Sequence, residues 1–308
     1  MKIIIRKIKF YFYRLQWHLA PYINFKYPLH LDLELTSRCN LNCSFCFRQD
    51  KKFVDGDMDV NKALKFIHDA RRRGVKSIKF NFRGEATLHK EYTTLIKNAF
   101  CLGYFIYVNT SLSWAMPVTM LKDMAKYVDV LKVSFDSCVP DRYEKIRKGA
   151  RFSIIIGNLW LLYDFRIYFE MPKIVLSRRR IDGMESDKYY KEYFGHIFKY
   201  DIRDAMPRNK SMIKRKSEKD LYFVPPFTYR KYCKHPSRRL IITWNGNIYI
   251  CCVNYHEALC TRLGNINKKR LKDLWSSDKR KEIIRKLKKN DFNNLKCCKN
   301  CTSKDAFK

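Results

Sequence analysis

The stretch HLDLELTSRCNLNCSFC, residues 30–46, alternates apolar and polar residues from His30 to Thr36, then crowds three cysteines into eight positions. Alternation with a period of two is the pattern of a strand. Cys39, Cys43 and Cys46 come where that strand ends, spaced four and three apart. Three thiolates at that spacing can wrap one face of an iron–sulfur cube, and three ligands leave a fourth metal position open for chemistry. A structural zinc site that borrows a ligand from elsewhere is the alternative reading of the same residues.

Outward from this segment the chain keeps one rhythm. Residues 59–73 read as a helix ending at Gly74, Val75–Phe82 as a strand, 89–102 as a helix and Tyr104–Asn109 as a strand. Residues 116–126 read as a helix, Val128–Asp136 as a strand, 152–165 as a helix, Pro172–Ser177 as a strand and 184–199 as a helix. Strand and helix in alternation with short connections predict repeated βαβ units, an α/β fold with a parallel sheet. Ligands bind at the carboxyl ends of such strands, and the polar motifs fall there.

Composition narrows the class. The 308 residues are 46% hydrophobic and 15% aromatic, which excludes disordered and low-complexity chains. No run reaches 18 apolar residues, so no membrane span is expected. The amino-terminal MKIIIRKIKFYFYRLQWHLAP has the look of a signal peptide, but Arg6, Lys7, Lys9 and Arg14 break it and no cleavage site comes after it. A cytoplasmic protein is expected, and its twelve cysteines then need metal or burial rather than disulfides to explain them. The net charge of +34 would attract phosphates, nucleic acid or anionic lipid, or simply solvate the surface. No nucleic-acid-binding module is visible. Ile3, Ile4, Ile5, Ile8 and the run Phe10–Tyr13 interleave with basic residues, as in an interfacial segment that touches a membrane surface, or in one packed across the main domain.

The first cysteine cluster resembles the signature of the radical S-adenosylmethionine (radical SAM) enzymes, with Phe45 as the aromatic residue before the last cysteine. The resemblance implies a partial (β/α)6 barrel and a 4Fe–4S cluster on Cys39, Cys43 and Cys46. Its open iron would chelate SAM, whose reductive cleavage yields a 5′-deoxyadenosyl radical that abstracts hydrogen from substrate. Further marks appear in order. KFNFRGEATLH (79–89) resembles the family's Gly-Gly-Glu segment, with Arg83 in place of the first glycine, Gly84 for close approach and Glu85 for the SAM ammonium. Val108–Thr110 resembles the third-strand end and supplies Asn109. Val133–Asp136 resembles the fourth-strand end, whose Ser134 and Asp136 would approach the SAM ribose or carboxylate. Tyr143–Arg147 resembles the segment whose arginine, Arg147, contacts the SAM carboxylate.

A second cluster fills the last quarter. Asn245-Gly246 between two β-rich runs signals a hairpin with a type I′ turn, which would return Cys251 toward Cys233. With Cys298 and Cys301 these make a set of four that suits zinc or iron. The pattern is similar to the SPASM extension of radical SAM enzymes or its shortened twitch form, and LGNI (263–266) and LKDLW (271–275) match the next stretch of that module. The chain stops seven residues after Cys301, so a single auxiliary 4Fe–4S cluster is expected. Cys252, Cys260 and Cys297 are spare, and Cys101 and Cys138 are expected in the core. The organisation expected is an extension at 1–29, a radical SAM core at 30–206, a basic linker at 207–232 and a small hairpin-and-helix domain at 233–308, with a basic helix at about 278–288.

For the reaction, one auxiliary cluster matches family members that oxidise a secondary alcohol of an aminocyclitol. A hydroxylated, sugar- or cyclitol-like and anionic small molecule is therefore the expected substrate. Modification of a peptide, as in ribosomal peptide or sulfatase maturation, comes second, since only about thirty residues precede the first strand where peptide enzymes often carry a leader-binding domain. A zinc protein that binds nucleic acid is the remote alternative. Arg178, Arg179 and Arg180 are either an anion site or a solvated charge run. A flavodoxin or ferredoxin is the expected electron donor.

Overall fold

The computed structural model describes residues 2–43, 45–46, 48, 54–170, 172–181, 184–195, 197–204, 233–251, 261–292, 295 and 298. Among these, six parallel strands form the larger part of one sheet: β1 (His30–Leu33), β2 (Ser77–Lys79), β3 (Phe105–Thr110), β4 (Val130–Ser134), β5 (Lys173–Arg180) and β6 (Lys199–Asp204). They are joined by α2 (Val60–Arg72), α3 (Tyr92–Cys101), α4 (Val118–Tyr127), the short α5 (Pro140–Ile146) with α6 (Phe152–Phe169), and α7 (Asp187–Phe194). Sheet order follows chain order from β1 to β6, as repeated βαβ units require.

Local chemistry sets the boundaries. Asp59 caps α2 by accepting the Lys62 N–H, and the helix closes where Gly74 takes φ +96°. Ala63, Phe66, Ile67 and Ala70 share one face of α2 and are buried there. Residues 184–199 differ from expectation. α7 ends at Gly195, φ +56°, and Lys199–Asp204 becomes the edge strand β6, whose charged residues do not read as a buried strand. By length and composition α6 would suffice to cross a membrane. Phe152, Ile155, Leu159 and Leu162 form a buried stripe on the crossover between β4 and β5, while Trp160, Leu161, Ile167 and Tyr168 are exposed.

The other end of the chain extends the same sheet. After α8 (His235–Arg238), β7 (Arg239–Ile242) pairs parallel to β1 with His30 opposite Arg239, and β8 (Asn247–Tyr249) and β9 (Arg262–Asn265) add antiparallel strands outside it. The hairpin forms where expected, but its turn differs. Only Gly246 has positive φ, +82°, and its N–H donates to Thr243 O, so this is a three-residue loop with glycine in the left-handed position rather than a type I′ turn. α9 (Leu271–Trp275) and α10 (Asp278–Lys288) come next, the latter over the expected residues. The linker at 207–232 lies outside the described residues.

α1 (Lys2–Leu19) is a helix docked on the fold. It runs across the amino-terminal ends of five strands. Arg6 forks onto Asp129 and donates to Tyr104 O just before β4 and β3. Phe10 lies edge-on to Phe105, the Tyr13 hydroxyl accepts from Ser77 Oγ, and Trp17 lies edge-on to His30. Arg238 stacks on Trp17 and donates to its carbonyl. Of the two readings of this segment, the docked one describes its inner face.

Candidate active site

Alternate residues of each strand face opposite ways. Leu31, Leu33, Ile78, Ile106, Val108, Leu131, Val133, Ile174 and Leu176 are buried in the main apolar core. The opposite face is polar. On it Asp32 lies 3.4 Å from Lys79 Nζ and 3.2 Å from Arg239, and Lys132 and Arg203 share Asp201. Burial alone would raise Asp32, but Lys79 and Arg239 hold it far below the usual carboxylate range.

The cysteine loop sits at the carboxyl ends of the strands, and three other segments hold it. Gly84 packs on residues 36–38 so closely that a β-carbon would lie 2.5 Å from Thr36 O and nearer still to Arg38 O. The close approach expected of Gly84 is thus met by the chain's own backbone. The next residue locks that contact, Glu85 N–H donating to Arg38 O at 2.8 Å. Asn40 donates to Ser113 O and Oγ, and Asn42 N–H to Lys148 O. A turn from Cys43 O to Cys46 N–H brings the last two thiols together.

Around the loop stand the charged residues. Glu85 is buried, with Oε1 accepting from Thr87 Oγ1 at 2.8 Å and Oε2 from Ser111 N and Oγ at 2.7 and 2.9 Å. Arg147 donates to Asp136 Oδ2 through Nε and also pairs through Nη2, at 2.7 and 2.6 Å. Its Nη1 lies 4.0 Å from Cys43 Sγ, and its guanidinium stands over the Phe45 ring at 5.5 Å. Burial works against this charge, but Asp136 overrides it and keeps Arg147 protonated. Asp136 Oδ1 accepts the Arg179 N–H, so both of its oxygens are engaged and it orients Arg147.

Cys39, Cys43, Cys46, Phe45, Gly84, Glu85, Asp136 and Arg147 are thus gathered on one loop and its supports. Asn109 and Ser134 stand on the polar face of β3 and β4, aligned with Lys132 and Ser177 respectively. Missed in the sequence were Thr87, Ser111 and Ser113, which order Glu85 and Asn40; their signal was position, just past β2 and β3. Arg178 is a correction. It is 1% exposed, pairs with Glu185 and Asp187 and stacks on Tyr190, so it braces the fold rather than serving as an anion site. Cys138 is buried as expected, but Cys101 is exposed at the end of α3.

The donor set suits an iron–sulfur cluster. Burial pushes Cys39 up to about 12, with Glu85 adding to it, and burial raises Cys43 against the pull of Arg147. Free thiols here stay protonated, and ligation would displace their protons. Among the described residues no three ligating side chains form a closed set. The cysteine thiols of this loop are near enough to feel one another's charge.

A model of the radical SAM superfamily matches residues 33–167, and a model of SPASM, an iron–sulfur cluster-binding domain, matches 233–302. This chain is a radical SAM enzyme with a C-terminal SPASM domain. As such it uses a radical SAM cluster with SAM, and its SPASM domain provides for auxiliary iron–sulfur binding. The enzyme is 25% identical over 90% of its chain, and 88% of the relative's, to the tungsten-containing aldehyde ferredoxin oxidoreductase cofactor-modifying protein of Pyrococcus furiosus. Its fold matches BtrN in complex with AdoMet and 2-DOIA at TM-score 0.59 and 18% identity, over 91% of this chain and 95% of that one. It also matches native anSMEcpe with bound AdoMet and Kp18Cys peptide at TM-score 0.62 and 16% identity, over 91% and 88%.

In the SPASM part of the enzyme, Ile241 opposite Tyr249 sends β8 back along β7, so Cys251 returns to the end at which Cys233 enters. Cys298 packs against the main core with Cys233. Cys301, Cys252, Cys260 and Cys297 lie outside the described residues.

Proposed function

We propose that this radical SAM enzyme modifies a hydroxylated, anionic small molecule held on the polar face of the sheet. The observation that carries the reading is the set of cations on that face, where Arg179 lies opposite Arg203 near the cysteine loop and Lys132 stands on β4 two rows nearer the amino-terminal ends of the strands. Asp201 joins two of these cations, pairing with both Lys132 and Arg203. A phosphate or carboxylate placed there gains charge-assisted hydrogen bonds.

When bound, the cluster and SAM supply one-electron cleavage of the sulfonium and a 5′-deoxyadenosyl radical that takes hydrogen from the substrate. The chain's own residues do the positioning. Cys39, Cys43 and Cys46 would hold the cluster. Glu85 presents a carboxylate to the SAM ammonium, and Arg147, fixed by Asp136, presents a cation to the SAM carboxylate. Ser134 and Asn109 line the polar face of the sheet, and Phe45 packs its ring against the Arg147 guanidinium. Cys233, Cys251, Cys298 and Cys301 would hold one auxiliary cluster, and a flavodoxin or ferredoxin would supply the electron.

The test is substrate capture by anaerobically reconstituted enzyme. Deuterium from a phosphorylated or carboxylated polyol should appear in 5′-deoxyadenosine, and Lys132→Gln with Arg203→Gln should raise KM at least tenfold while SAM cleavage without substrate persists. Transfer only from a peptide, or a KM that the double variant leaves unchanged, would contradict the reading.

A further inference from the structure

The inner face of α1 is accounted for by its docking, but its outer face is not. At 100° per residue, Ile4, Ile8, Tyr11, Phe12, Leu15 and Leu19 fall within an arc of about 100°. They are 37–73% exposed, whereas Tyr13 on the docked side is 3% exposed. The helix therefore has two apolar faces, and one is held out to solvent. Exposed apolar surface of that extent on a folded domain marks a binding surface.

Charge says what kind. Lys7 flanks the outer arc on one side and Lys9 on the other, both exposed. α1 covers the amino-terminal ends of the strands, and the carboxyl ends of α2 and α4 place exposed Arg72, Arg73 and Lys126 at that same end of the sheet. The ends of α6 and of α1 add exposed Ile167 and Tyr168, and Tyr22 and Ile23. An aliphatic and aromatic stripe bordered by lysines is the pattern of a helix lying in a lipid interface. A second copy of the chain fits poorly, because a two-fold contact would set these lysines against their own copies on a molecule of net charge +34.

We infer that the outer face of α1 docks this enzyme on an anionic lipid surface, with the helix lying in the plane of the interface. Arg6, Tyr13 and Trp17 anchor the helix to the barrel, so the whole domain moves with it. The orientation has a consequence for function. Cys39, Glu85 and Arg147 lie at the opposite, carboxyl-terminal end of the strands, so the catalytic mouth faces water and stays open to substrate and electron donor.

The experiment is co-sedimentation of the full chain with phosphatidylcholine vesicles, with and without about a third phosphatidylglycerol. Wild type should bind the anionic vesicles and leave the neutral ones. Ile8→Ser with Phe12→Ser and Leu15→Ser, all on the outer arc, should bind more than about tenfold less strongly. Lys7→Gln with Lys9→Gln should lose about fivefold per charge and serves as a second probe should the triple variant misfold. SAM binding by each variant reports that the domain is intact. Wild type that ignores anionic vesicles overturns the inference. So does a folded triple variant that binds as well as wild type, since general basic charge would then explain the binding. A wild-type dimer that the triple variant dissociates, without vesicle binding, assigns the face to a second copy and also overturns it.

Discussion

Arg83 lies fork to fork on Glu34, Nε 2.6 Å from Oε1 and Nη2 2.5 Å from Oε2, and the same buried carboxylate accepts the backbone N–H of Trp244 at 3.1 Å. Three parts of the enzyme meet at these residues. Glu34 follows the first strand directly, Arg83 begins the Gly84–Glu85 segment, and Trp244 is in the loop of the SPASM hairpin. The Trp244 indole also fills the space beside Gly56, where a β-carbon would come within 2.5 Å of the ring. Glu34, held by the arginine that replaces a family glycine, thus ties the radical SAM core to the auxiliary domain.

Removing the cation alone should be costly. Arg83→Met leaves Glu34 buried and unpaired and should destabilise the protein by about 3–5 kcal/mol. Adding Glu34→Leu should recover much of that loss. Urea midpoints of the single and double variants measure both, and a single variant as stable as wild type would show that Arg83 is not needed to compensate the buried Glu34.

Gly84→Ala should damage the site without touching a ligand. Its β-carbon cannot fit against the carbonyls of Thr36 and Arg38, so the loop leading to Cys39 must move. Iron content after anaerobic reconstitution and SAM affinity should both fall. Gly157→Ala, on α6 with nothing within 4 Å of the added carbon, should leave both unchanged and stabilise the helix by about 0.5–1 kcal/mol. Equal effects of the two substitutions would contradict the packing argument.

Arg147→Gln should weaken SAM binding by about 1.5–3 kcal/mol, roughly tenfold or more, by removing a charged partner held in place by Asp136. Asp136→Asn should weaken it less, because the guanidinium remains but is less firmly oriented. Equilibrium SAM titrations rank the two, and the reverse order would assign Asp136 the direct contact.

Stability should fall with acid partly through His30. Burial holds this histidine below its ordinary value despite the nearby Asp32, so it folds neutral. Below about pH 6.5 the unfolded chain binds a proton that the folded chain does not. Its contribution is thus complete above that pH and is lost as pH falls toward the folded value, by at most about 1.4 kcal/mol per pH unit. Urea midpoints at pH 7.5 and 5.5 should differ less in His30→Gln than in wild type; equal differences would contradict the assignment.

The parallel sheet was legible because βαβ periodicity is local: the apolar stripe of α2 and its Gly74 stop are both in the sequence. β6 was not, because an edge strand carrying Asp201 and Arg203 lacks the apolar alternation that marks a strand. The cysteine loop was legible from spacing, and Glu85 and Arg147 from resemblance. Their support depends on contacts between distant segments: Ser111 on Glu85, Lys148 on Asn42, Trp244 on Glu34. No local pattern announces such pairs. Arg178 was ambiguous for the same reason, since only the fold brings Glu185, Asp187 and Tyr190 to it. For α1, the sequence showed an apolar, basic segment, and the structure separates it into one face that docks and one that does not.

If Cys39, Cys43 and Cys46 carry the radical chemistry and the SPASM cysteines hold a separate site, iron content and 5′-deoxyadenosine yield under anaerobic reduction separate the two roles. Replacing Cys39, Cys43 and Cys46 by alanine should remove about four irons per chain and abolish 5′-deoxyadenosine. Cys298→Ala with Cys301→Ala should remove about one cluster yet leave SAM cleavage in place. SAM cleavage that survives loss of the first three cysteines would contradict this assignment.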